Sequence, residues 1–148
     1  MTIFTKKIKL TEKDKYTHMN IPFEVFEEAN KLILSFSYFP KFFYDKKKSL
    51  QLVREGLARY APEKTFSDED LQRFLPIKNL LTVTLDSPKG VVGTAHKQSE
   101  EQQHIISENH SSQGFLKQKI IKGKWNITVS SHSIVSPVVD VMLEVAVE

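Results

Sequence analysis

Three histidines, His96, His104 and His110, fall within fifteen residues and share that stretch with Gln98, Glu100, Glu101 and Glu108. Imidazoles and carboxylates are the side chains that hold zinc and similar ions, so the segment carries the raw material of a small metal-dependent hydrolase. The spacing argues the other way. No two histidines stand four apart, which would stack them on one helix face, and no His-x-His occurs, which on a strand would point two rings the same way. The segment reads instead as a polar connection whose histidines are solvated or hydrogen-bonded. Its residues His96, Gln98, Glu101, His104 and His110, with Trp125 nearby if the strands pair suitably, form the candidate binding surface. No metal and no cofactor are assigned.

A second group is aromatic. Tyr38, Phe39, Phe42, Phe43 and Tyr44 gather just before Asp45 and the run Lys46-Lys47-Lys48. Exposed, Tyr38, Phe42, Phe43 and Tyr44 would form a patch able to stack on a sugar ring or hold a partner helix. Buried, they would cover one end of the domain beneath a helix, and burial is the expectation. Trp125 is read as core. Other catalytic signatures are missing: there is no Gly-x-Ser-x-Gly elbow and no Gly-x-x-x-x-Gly-Lys phosphate loop, with five glycines in all. Glu27-Glu28 and Glu100-Glu101 are adjacent pairs, which on a strand would face opposite ways and so could not share acid–base work.

The elements that must position these groups are mostly strands. Phe4, Ile8 and Leu10 begin one. Met19, Ile21, Phe23 and Val25 alternate with polar neighbours, and Pro22, lacking an N–H, predicts that this strand lies at a sheet edge. Leu32, Leu34, Phe36 and Tyr38 alternate again until Pro40. Between residues 41 and 78 the period changes: Leu50, Val53, Leu57 and Tyr60 recur at helical spacing over 47–60, and Ser67-Asp68-Glu69-Asp70 caps a short helix running through Phe74. From Leu81 onward strands return, with a hairpin turn at Ser87-Pro88-Lys89-Gly90. The next are His104–Ser107, a weaker segment over 115–121, Trp125–Val129 and Val139–Val145. Eight short strands with regular turns predict a mostly β, jelly-roll-like antiparallel sandwich, one domain over 1–148, with a helical insertion at about 46–75.

Composition agrees with a single domain. The 148 residues are 40% hydrophobic and 26% charged, with a formal charge of +3. Zero cysteines exclude disulfides and thiolate chemistry. The basic runs at Lys6, Lys7, Lys9 and Lys46 to Lys48 are diluted by Glu12, Asp14 and Asp45, so nucleic acid is not an expected partner. No apolar run approaches a membrane span, and residues 1–7 lack a secretory pattern, so a cytoplasmic location is expected.

Several segments resemble the N-terminal domain of CehA/McbA family metallohydrolases. Asn79 to Gly93 is similar to that family's "DLGLFDPxGFRGWSG" strand-turn-strand, Ile105-Ile106-Ser107 and Gln113 to Leu116 to its "ISxxxATPGYLPG", and Lys122-Gly123-Lys124-Trp125 to "PGTW". Ile21 to Val25 resembles "LPFEVP", and Leu32 to Tyr38 resembles "LEVSYSY". The resemblance implies an accessory β-sandwich of the kind that precedes a PHP-type hydrolase domain. The hydrolase signature itself, an HxHSxxSDG-like motif, does not occur, and Val91 to His96 lacks the Arg and Trp of "FRGWSG". The resulting expectation is a non-catalytic binding or interaction module, accessory to a separate hydrolase. Alternatives are a carbohydrate-binding module and a small metal-dependent hydrolase using the His-rich loop. A protein partner is expected first and carbohydrate second, while a homodimer through a free edge such as the last strand stays open.

Overall fold

A computed structural model describes all 148 residues. The period-2 segments become β1 (Thr2–Leu10), β2 (His18–Val25), β3 (Lys31–Phe39), β6 (Leu80–Ser87), β7 (Gly90–Ala95), β8 (Glu101–Ser107), β9 (Gly123–Ser133) and β10 (Val139–Val147). Between β3 and β6 lie β4 (Phe42–Phe43), α1 (Lys46–Tyr60), α2 (Asp68–Gln72) and β5 (Ile77–Lys78). Every long strand pairs antiparallel, in two four-stranded sheets of order β1-β10-β3-β8 and β2-β9-β6-β7. Counting the eight long strands alone, first pairs with last, second with seventh, third with sixth and fourth with fifth. That nested pairing is a jelly roll: a long antiparallel ribbon rolled until its strands alternate between two layers.

Alternation fixes which face is buried. Leu32, Leu34, Phe36 and Tyr38 from β3 and Val139, Val141, Leu143 and Val145 from β10 meet Val83, Leu85, Ile127 and Val129 across the core. Each such side chain contributes about 1.5–3 kcal/mol when removed from water. Trp125 is 0% exposed, as expected of core; its ring lies 6.3 Å from Phe23, and its Nε1–H donates to the Ile121 carbonyl at 3.0 Å. The buried indole thus has its one donor satisfied. Burial removes it from the candidate binding surface.

Sheet edges follow the sequence in part. β2 is an edge strand, as Pro22 predicts. β10 is not an edge: it lies between β1 and β3, so the last strand offers no free backbone to a second copy. The segment 115–121 is no strand. It runs along the outer edge of β7 through a Gly93–Phe115 bridge and a Leu116 amide donating to Val92 at 2.8 Å, too few bonds for a ladder. Covering an edge in this way removes a template for aggregation.

The insertion stands on a narrow neck. β4 and β5 pair at its base, and Asn79 sits beside them, 0% exposed, with every polar atom engaged. Its Nδ2 donates to the Pro40 carbonyl at 2.9 Å and to Ser136 Oγ at 2.8 Å, while its Oδ1 accepts from the Val135 and Ser136 amides at 2.7 and 3.3 Å. Asp45 caps α1 by accepting from the Lys48 amide, and Ser67 with Asp70 forms a reciprocal capping box on α2. The second helix ends at Gln72 rather than at Phe74. Leu50, Leu52, Val53 and Leu57 are only half-buried and Tyr60 is 90% exposed, because the apolar stripe of α1 outruns the surface beneath it.

Candidate functional site

Antiparallel order sorts every loop to one of two ends. The connections 11–17, 40–79, 96–100 and 134–138 share the insertion end, while 26–30, 88–89 and 108–122 share the opposite end. This sorting disperses the histidines. His96 is exposed at the insertion end, His110 is exposed at the other, and His104 lies on β8 between them, 3% exposed and facing the core. Nowhere do three His or carboxylate side chains converge on one point. His18 and His132 lie elsewhere, on the outer face of the second sheet against Ser130 and Thr82.

His104 turns inward because it shares a face of β8 with the buried Ile106, and that strand begins at Glu101, earlier than the polar composition suggests. Gln102 and His104 then share the inner face, with the His104 ring 4.8 Å from Phe115. Gln102 Nε2 donates to the carbonyls of Ser99 and Lys97 at 2.8 and 3.3 Å, so its Oε1 is left to accept from His104 Nε2 at 2.8 Å. Desolvation, helped by nearby Lys97, holds the imidazole below its ordinary value and therefore neutral. His104 is thus an interior hydrogen-bonding residue and not part of the binding surface. Of the remaining candidates, Gln98 and Glu101 lie at the insertion end, where Gln98 Oε1 accepts from Lys78 Nζ at 2.6 Å.

The aromatic group divides. Tyr38 is buried, and burial raises its phenol. Phe43 is half-buried beside Val135. Phe42 and Tyr44 face outward as a pair with centroids 6.2 Å apart, Tyr44 being 75% exposed. The expected burial therefore holds for Tyr38 and fails for Phe39, Phe42 and Tyr44. Phe42 instead lines a groove of about 470 Å³ with Leu52, Val53, Phe74, Ile77 and Val135. Nine Lys and Arg against six Asp and Glu lie between residues 41 and 78, so the chain's whole formal charge of +3 resides in the insertion.

Parity along β3 exposes one further ring. Tyr38 points in, so Phe39 points out and is 74% exposed on the outer face of the first sheet. Alternation alone would have found it. At the opposite end a cleft of about 930 Å³ is floored by Val25 and Ile120 and rimmed by Phe26, Glu27, Glu28 and Glu108.

No family model matches the chain, and no curated protein matches it. The crystal structure of a protein from Sulfurospirillum deleyianum aligns over 98% of both chains at 9% sequence identity, with a TM-score of 0.35.

Proposed function

We propose that the chain is a non-catalytic interaction module whose rigid roll presents the insertion to a protein partner. The observation that carries this reading is the groove between Phe42, Leu52, Val53 and Phe74, apolar and open to solvent, set in the segment that holds the net positive charge. Exposed apolar surface rimmed by charge suits a partner with an acidic rim and an apolar anchor. The resemblance to the accessory domain of CehA/McbA metallohydrolases makes a separate hydrolase the first partner to seek. Capture from native cells with the wild-type chain and with a Phe42→Ser/Phe74→Ser variant tests it. A partner held by the wild type, lost in the variant and released by salt is expected; identical capture by both chains would refute the reading.

A second reading, a carbohydrate-binding module, draws support from Phe39, an exposed ring fixed on a strand apart from that groove. A hydrolase using His96, His104 and His110 together draws none, since the fold sends them to two ends and the interior.

A further inference from the structure

The outer face of the first sheet carries a solvent-open groove of about 870 Å³. Strand register builds it. Lys9, Asp140 and Phe39 form one outward row across β1, β10 and β3, and Lys7, Met142, Ser37 and Glu101 form the next. The volume falls in the range of about 300–1,000 Å³ occupied by small-molecule sites.

Three properties of these rows restrict the ligand. First, the Phe39 ring is exposed, yet its backbone is anchored: Phe39 pairs with Asp140 on β10, and the adjacent Tyr38 amide donates to the Glu100 carbonyl at 2.9 Å. A flat apolar platform is therefore held still, with little left to order on binding. Second, the charges balance. Lys9 pairs with Asp140 at 2.9 Å and Lys41 with Glu100 at 3.3 Å, while Lys7 faces Glu101 across the intervening strands. The Glu100 carboxyl is held below its ordinary value by its own backbone amide and by Lys41, so it is an acceptor at neutral pH. Third, ammonium donors, carboxylate acceptors and the Ser37 hydroxyl alternate within one or two strand spacings. A ligand matching all three carries no net charge, has groups that both donate and accept, and offers an apolar face to the ring.

We propose that this groove is a saccharide site, in which Phe39 stacks on the C–H face of one pyranose of a neutral oligosaccharide while Asp140 engages hydroxyls of that ring and Glu101 and Lys7, on the two edge strands, engage those of neighbouring rings. The proposal rests on the carbohydrate reading and is independent of the protein-binding groove.

The test is a ¹⁵N NMR titration of the whole chain with neutral hexasaccharides of glucose, mannose, xylose and N-acetylglucosamine, and with oligogalacturonate. Shifts centred on Ser37, Phe39 and Met142 with at least one neutral sugar, and weaker ones with oligogalacturonate, are expected. Phe39→Ala should weaken binding about tenfold or more, Phe39→Trp should keep it, and Tyr44→Ala should leave it unchanged. Because the ring projects into solvent, the Phe39→Ala chain should melt with the wild type, which separates lost binding from lost fold. Shifts centred on Phe42, Tyr44 and Phe74 would leave the carbohydrate reading standing and overturn this site. No shift with any sugar at about 10 mM would overturn both. Shifts in these same rows on raising protein concentration without sugar would assign the groove to a second copy and overturn the proposal.

Discussion

His104 Nε2 donates to Gln102 Oε1 over 2.8 Å inside the roll, one polar pair among apolar neighbours. The unfolded chain can protonate this imidazole near its ordinary value of 6.5, whereas the folded chain resists because burial penalises the cation. The unfolded state therefore binds more protons below that pH. Stability from this group is complete above 6.5 and declines as the pH falls through 6.5 toward the lower folded value. Urea midpoints should fall between about pH 7.5 and pH 5, and the fall should shrink in a His104→Leu/Gln102→Leu variant, which removes both partners together. An undiminished fall in that variant would place the acid sensitivity elsewhere.

Asn79 is also buried, and its four hydrogen bonds join the neck of the insertion to the β9–β10 connection. Asn79→Ala should cost about 2–4 kcal/mol, because the Val135 amide and the Pro40 carbonyl lose their partner without gaining water. Denaturant unfolding measures the loss, and protease cleavage within 41–78 should accelerate in parallel.

Ser49 offers the opposite case. It is buried on α1, and its Oγ has no hydrogen-bond partner. Ser49→Ala removes the unsatisfied hydroxyl and favours the helix, so a gain of about 1 kcal/mol and a rise of roughly 2–4 °C in Tm are expected. A fall in Tm would show that the hydroxyl has a partner.

At Gly93 a Cβ would run into the Gly114 carbonyl oxygen and come within 2.7 Å of Phe115 Cα. Both obstacles are backbone and cannot rotate away. Gly93→Ala should therefore lift residues 114–116 from the edge of β7, cost about 2–3 kcal/mol and promote self-association visible by light scattering. A variant that stayed monomeric with unchanged stability would show that this edge needs no cover.

The strands were legible wherever burial enforces a period of two, as in Leu32 to Tyr38 and Val139 to Val145, and Pro22 marked its edge through a missing donor. Ser67 marked its helix through a hydroxyl that accepts from the Asp70 amide. The start of β8 was not legible, because Glu101 to Gln103 look like loop residues until Ser99 and Lys97 are seen to satisfy Gln102. Residues 115–121 carry apolar side chains in a strand-like manner, yet only the Leu116 amide among them bonds to β7. The groove at Phe39 draws on β1, β3, β8 and β10, from opposite ends of the chain. Topology alone brings those residues together, so no spacing in the sequence announced them.

The nested strand order also governs how the molecule can be made. β1 finds its partner only in β10, so residues 2–10 must wait for residues 139–147 before the first sheet can close. Pairings between such distant segments fold slowly, on a scale of about milliseconds to seconds, and leave early strands bare during synthesis. Lys6, Lys7 and Lys9 on β1 supply charge against premature pairing over that interval. A ribosome-bound chain that has not yet delivered β10 should therefore lack a finished roll, and the groove at Phe39, whose wall includes Asp140 and Met142, would be among the last features to appear.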